Sequence, residues 1–216
     1  PFLLPQAPCM PSTPLYLPSC APAYDPDTVV QDTVRWLERA VIDLNLCPFA
    51  KGVHSKGQIH YVVSSASDTD ALALDVEREL QALADIAPEL RDTTLLMAPA
   101  CLHDFLDFND FVTVADRLLE ALDLGGILQI ASFHPQFQFA GTAEDDVTNC
   151  TNRTPYPTLH LLREDSIDRA VAVFPEAEMI FERNIEVLEK LGLDGWNALD
   201  VGARCPVAHA TKSEKP

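Results

Sequence analysis

Two histidines and two arginines are the side chains of this 216-residue chain whose types and settings best suit chemistry. His134 follows the apolar run ILQIASF (127–133) and opens the unusual sequence HPQFQFAGT. Period two places Leu128, Ile130, Ser132 and His134 on one side of a strand. His134 therefore stands at the strand's carboxyl end, where open α/β sheets bind ligands. His160 alternates with Thr158 and Leu162 in TLHLLR (158–163). Imidazole serves as acid, base or metal ligand near neutral pH. The two histidines are thus the expected acid–base pair if their strands are neighbours. Arg153 and Arg163 flank the same region, and planar guanidinium groups hold carboxylate or phosphate oxygens in pairs. Thr142, Asn152 and Tyr156 complete the expected ligand-binding set. They belong to the patternless stretch 141–157, of a length that in compact domains is usually functional or disordered. Pro155 and Pro157 around Tyr156 favour a stiff loop.

A structural reading stands beside each of these. Phe133, Phe137 and Phe139 form either a pocket wall or plain core. The arginines hold either an anion or the nearby Asp145, Asp146, Glu164 and Asp165. Cys47 in CPFAK (47–51) resembles the Cys-Pro-aromatic pattern of glutaredoxin-like redox proteins. Here, however, the thiol follows a long helix, at the end whose dipole disfavours a thiolate. Ala50 occupies the place of a resolving cysteine, so a buried structural thiol is expected. A metal or haem centre requires Cys47, His134 and His160 to converge over long range, and no ligand pair with metal spacing is present. No nucleotide, nicotinamide or nucleophile-elbow fingerprint occurs, and the cofactor is left unknown.

The elements that must position these residues are legible as periodicities. Asp25 and Pro26 begin a helix with Val30, Val34, Leu37, Val41 and Leu44 on one face, stopped by Pro48. A strand at 58–64 comes next. The second helix starts at Ser67 or Asp68, carries Leu72, Val76, Leu80 and Leu83, and closes before Pro88. A strand covers 93–99. After a loop containing CLHDFLDFND, Val112, Ala115, Leu118, Leu119 and Leu122 mark a third helix ended by Gly125 and Gly126. Two further strands cover 127–133 and 158–163. A brief helix begins at Ser166, and a last helix runs from Pro175 to Gly192. In that last helix Asn184 interrupts an apolar face and is expected to anchor the backbone of the long loop. The order predicts an α/β domain: a four-stranded sheet, mixed or parallel, packed with helices, with a ferredoxin-like arrangement as close competitor.

Composition bounds the rest. A formal net charge of −18 argues against broad binding to nucleic acid or anionic lipid. No apolar run reaches the ~18 residues of a membrane span, so neither nucleic acid nor membrane is an expected partner. Six scattered cysteines without a Cys-x-x-Cys pair suit free thiols in a reducing cytoplasm. The two glycosylation-like patterns at Asn149 and Asn152 are read as coincidence. Proline recurs at 5, 8, 11, 14, 18, 22 and 26, which predicts a disordered tail over 1–26. One domain is expected over 27–202, with a second loose tail over 203–216.

The stretches LNLCPFAKGV (44–53), LDFNDF (106–111), ASFHPQFQFAGT (131–142) and TNRTPYPTLHLLRE (151–164) resemble a bacterial family of uncharacterised proteins, domain-of-unknown-function family 1415. The resemblance covers about 27–202. It implies a soluble, cytosolic, bacterial protein and carries no known reaction. The leading expectation is therefore a pocket in the 132–163 region for a polar or anionic small molecule, with His134 or His160 as acid–base group if the protein is an enzyme. The alternative is a non-catalytic binding or interaction module in which these residues stabilise a long loop.

Overall fold

The computed structural model of the protein describes residues 24–173 and 179–204. Asp25 caps the first helix, accepting from Thr28 N–H at 3.1 Å, and Pro26 occupies a first-turn position. There its missing N–H leaves no bond unmade. This helix, α1 (Pro26–Trp36), widens into a π-helical stretch, Leu37–Ile42. The chain continues through α2 (Ala50–Ser55), β1 (Ile59–Val63), α3 (Thr69–Asp85), β2 (Thr93–Met97), α4 (Phe105–Ala121) and β3 (Leu128–Phe133). A 3-10 helix (Val147–Asn152), β4 (Thr158–Arg163), α5 (Glu164–Val173) and α6 (Ile180–Ala198) complete it.

The strands form one mixed sheet in the order β1-β2-β4-β3, so the expected α/β architecture is present. β1 and β2 are parallel neighbours joined through α3, whereas β4 runs antiparallel to both β2 and β3. The sheet thus joins a plain βαβ unit to a split one, in which β4 lies between β2 and β3. The split unit is the ferredoxin-like ingredient.

Alternation divides the side chains between two faces. On one face, Leu96, Leu128, Leu159 and Leu161 pack against Leu72, Val76, Leu80 and Leu83 of α3 and Phe108, Phe111 and Ala115 of α4. On the other, Leu95 and Met97 meet Val29 of α1, while Ile59, Tyr61 and Phe133 meet Trp36, Leu37, Ala40 and Val41. The α3 stripe is the expected one. In α1 the buried residues are Val29, Asp32, Thr33 and Trp36 in place of Val30 and Val34, whereas Leu37 and Val41 of the π-helical stretch are buried as expected, together with Ala40.

Two boundaries differ from expectation. Tyr24, read as tail, is buried and donates its hydroxyl to Ser64 O at 2.7 Å. Arg204, read as part of the second loose end, donates its backbone N–H to Asp32 Oδ2 at 2.6 Å. Residues 1–23 and 205–216, and the start of the last helix expected at Pro175, lie outside the described residues. Among the described residues no helix is long and apolar enough to cross a membrane.

Candidate functional site: an apolar cavity under the sheet

The sheet face opposite α3 and α4 does not close completely. A cavity of about 340 Å³ remains between the sheet, the π-helical stretch, the 46–53 segment and α5. Its walls are mostly apolar, with Trp36, Leu37, Val41, Phe49, Ala131, Phe133 and Ile167 among them. Polar groups are few: His160 and Thr93 from the sheet, Cys47 from the loop before α2, Thr151 and Asn152 from the 3-10 helix, and Asp92, Arg163 and Ser166. An apolar wall with a few fixed polar points is the usual make-up of a small-molecule site, and the volume lies at the low end of the ~300–1,000 Å³ range.

His160 is the polar centre of this wall. Its Nε2 stands 2.7 Å from Thr93 Oγ1, whose own hydrogen goes to Leu161 O at 2.6 Å. A hydroxyl has a single hydrogen, so Thr93 must accept from Nε2–H and the Nδ1 lone pair is left free. No described residue bonds that Nδ1. Desolvation lowers the His160 pKa to about 4. The ring is neutral at pH 7 and brings an unbonded acceptor to the lining of a mostly apolar cavity. Cys47 is a protonated thiol: burial raises its pKa against the opposing pull of the Phe49 and Ala50 backbone N–H groups. Those N–H groups belong to the start of α2. Cys47 thus precedes a helix as well as following one, and desolvation still outweighs the helix contribution. A structural thiol matches this geometry.

His134 has a different position and a different role. The register pairs Ala131 with His160, so His160 shares a face with Ala131 and Phe133. His134 continues the other parity and lies on the α4 side between Phe105 and Phe108, ring centroids 5.5 and 5.0 Å away. The two strands are neighbours, as expected, but the histidines do not meet. His134 is completely buried, and both ring nitrogens are used. Nδ1 accepts from Gln136 N–H at 3.0 Å, which leaves Nε2–H to donate to Leu102 O at 3.0 Å. It ties the turn after β2 to the turn after β3. Desolvation lowers its pKa to about 4 as well.

The arginines do not converge either. Arg163 pairs with Leu128 at the start of β3, and Thr158 pairs with Phe133 at its end. The side chain of Arg163 donates to Leu83 O and Ile86 O, both at 2.5 Å, and to Arg91 O. It neutralises carbonyls at the carboxyl end of α3, where positive charge suits the helix dipole. Arg153 lies beyond the opposite end of β4 and donates to Phe137 O at 3.1 Å and Glu144 O at 2.7 Å. An anion pocket built from this pair is not formed. Neither arginine pairs with the neighbouring acids; both hold backbone carbonyls.

The remaining expected residues divide between cavity and scaffold. Asn152 lines the cavity while donating to Ser132 O at 3.2 Å. Thr142 Oγ1 stays within the long loop, 2.9 Å from Phe139 O and 2.8 Å from Asn149 Oδ1. Tyr156 is buried and donates its hydroxyl to Asp32 at 2.7 Å. Of the three phenylalanines only Phe133 lines the cavity. Phe137 meets Phe105 at a tilt and Phe139 edge-on, ring centroids 5.1 and 4.9 Å away. The loop's organiser is Asn149, fully buried, which accepts from Phe139 N–H and donates to Ala143 O. Asn184 donates to Leu46 O at 3.0 Å, so it anchors the turn before Cys47 and not the long loop. Convergence of Cys47, His134 and His160 on a metal fails because His134 is on the other face. Among the described residues no group of three His, Cys, Asp or Glu side chains is placed to hold an ion.

Sequence reasoning missed Trp36, Thr93, Ala131 and Ile167. Each reads as ordinary core, and only the face assignment of β2, β3 and β4 would bring them together.

No curated protein and no solved structure matches this chain. A family model does: the one described as a protein of unknown function, DUF1415, matches residues 28–198. That span contains all four strands and every residue lining the cavity, and the chain belongs to the DUF1415 family.

Proposed function

We propose that the protein binds a small, mostly apolar molecule carrying one hydrogen-bond donor in the cavity beneath the sheet. The observation behind this reading is the imidazole of His160, which lines the apolar cavity and is fixed by Thr93 so that its Nδ1 acceptor has no described partner. A hydroxyl or N–H on the ligand satisfies that acceptor, while the rest of the molecule replaces water along Trp36, Val41 and Phe133. A polar or anionic ligand suits this cavity poorly, because the guanidinium of Arg163 is already committed to three carbonyls. Acid–base catalysis is also less favoured than binding. A group with a pKa near 4 is a weak base at pH 7, far from the matched value that proton transfer favours. The free thiols Cys47, Cys101 and Cys150 support a reducing compartment, and we place the protein in the cytoplasm on that ground.

Binding is testable with 4-fluorophenol as donor-bearing probe and fluorobenzene as its control, both followed by ¹⁹F NMR. Saturable binding of the phenol is expected, tighter than that of fluorobenzene. His160→Phe should reduce the phenol to the level of the control. Ala131→Leu should abolish binding of both by filling the cavity, without loss of thermal stability. Phenol binding that survives Ala131→Leu unchanged removes the proposal.

A further inference from the structure

A second hollow, of about 730 Å³, lies between the 150–157 and 193–204 segments and shares Trp36 with the apolar cavity. Its chemistry is opposite. The lining includes Arg153, Arg204, His103, Gln136 and Asn197, and among the described residues no Asp or Glu. The chain as a whole has 33 acidic residues and a net charge of −18, so a basic lining runs against its composition. We propose that this cleft binds the oxyanion group, carboxylate or phosphate, of a polar small molecule through Arg153 and Arg204.

Two features carry the argument. The guanidinium of Arg153 is within ion-pair distance of no described carboxylate. Its Nε and one Nη are held by Phe137 O and Glu144 O, which fixes the fork in place and leaves its charge uncompensated. A positioned cation without a counter-ion is what an incoming anion requires, because little ordering remains to be done on binding. Arg204 is fixed at its backbone. Asp32 holds its N–H, Arg35 donates to Asp200 O and Gly202 O, and Arg39 donates to Leu199 O. Among the described residues the side chain of Arg204 pairs with Asp200 alone, and both members are more than half exposed. Such a pair contributes little and can be exchanged for a ligand. The volume exceeds what a bare ion needs. Gln136 and Asn197 offer hydrogen bonds to the body of the molecule, and Trp196 offers an aromatic wall.

The experiment titrates the full chain with citrate and with inorganic phosphate, each against sodium chloride at equal ionic strength. Tryptophan fluorescence and melting temperature are read together, since Trp36 and Trp196 both line the cleft. Saturable binding of at least one anion above chloride is expected, and the better probe identifies the oxyanion class. Arg153→Gln and Arg204→Gln should each weaken it about tenfold or more. Arg153 also holds loop carbonyls, so the exposed Arg204→Gln variant decides if Arg153→Gln fails to fold. Asp200→Asn should tighten binding, by up to about fivefold, by releasing Arg204 from its competitor. Asp200 has φ 52°, a conformation that Asn adopts readily, so the backbone is preserved. Binding of 4-fluorophenol should persist in Arg204→Gln, which separates this cleft from the apolar cavity. Failure of both anions to exceed chloride overturns the proposal. So does equal anion affinity in the wild type, Arg204→Gln and Asp200→Asn.

Discussion

Protonating His134 inside this fold means breaking the bond that its Nδ1 accepts from Gln136 N–H and placing a cation between Phe105 and Phe108. Its folded pKa, about 4, is therefore below the ordinary 6.5. Between those values the unfolded chain binds the extra proton and the native chain does not, so stability falls as pH falls. The contribution is complete above about pH 6.5, declines toward pH 4 and is constant below it. At its full extent the loss is about 3 kcal/mol. His134→Gln isolates the effect, because every other titrating group cancels in the difference from wild type. Urea unfolding should show the wild type ahead by about 1–3 kcal/mol at pH 7, with the gap shrinking at pH 4.5. A gap independent of pH would show that the imidazole's protonation does not govern the site. The importance of His134 was legible from its position at a strand end. Its role was not, because the partners are carbonyl and N–H groups of Leu102 and Gln136, which sequence does not display. The same holds for Arg153 and Arg163. Their neighbours in sequence are acids, but their partners in space are backbone.

Among elements, strong apolar stripes were legible and short polar ones were not. The stripe Leu72, Val76, Leu80 and Leu83 became the buried face of α3 without change. The first turns of α4 read as loop because of their aspartates. Yet Asp104 is the cap, accepting from Leu106 and Asp107 N–H, and acidic residues near a helix start are favourable. No residue of α2 is buried, so no periodicity marked it. The π-helical stretch leaves no composition signature at all. It is visible in bonds one residue longer than usual, Asp43 N–H to Glu38 O and Leu46 N–H to Val41 O, both 2.9 Å. Gly192 was expected to end the last helix, and it breaks α6 with φ 68° and ψ 171°. That region is reserved for glycine and costs another residue about 1–3 kcal/mol. Gly192→Ala should therefore lower stability by that amount in urea unfolding, although open space surrounds the site for a methyl group. The turn beyond it carries Leu193, Trp196 and Asn197 into the oxyanion cleft. Anion binding should accordingly suffer more than 4-fluorophenol binding. An alanine variant as stable as wild type would show that the kink is not strained.

For the whole molecule, helix and strand content could be read from period, but the strand order could not. β4 enters between β2 and β3 after the 134–157 segment, whose path is set by Asn149, His134 and Arg153 bonding backbone far along the chain. Period alone says which residues of β4 share a face and not which neighbours they meet. The cavity depended on that missing information, since it joins residues of all four strands to α5 and the π-helical stretch. The start of the domain carries the same lesson, because repeated prolines drew the expected tail across Tyr24. In the fold, Tyr24 packs with Val29, Leu95, Met97 and Tyr156 and donates to Ser64 O immediately after β1. Burying an aromatic side chain and completing one hydrogen bond contribute about 2–4 kcal/mol together. Two shortened chains test this, one beginning at Ala21 and one at Asp25, which keeps the helix cap but loses Tyr24. The second should melt several degrees below the first. Tyr24→Phe in the full chain should recover most of the difference between them, because the ring contributes more than the hydroxyl. Equal melting temperatures for the two shortened chains would place the start of the domain at Asp25.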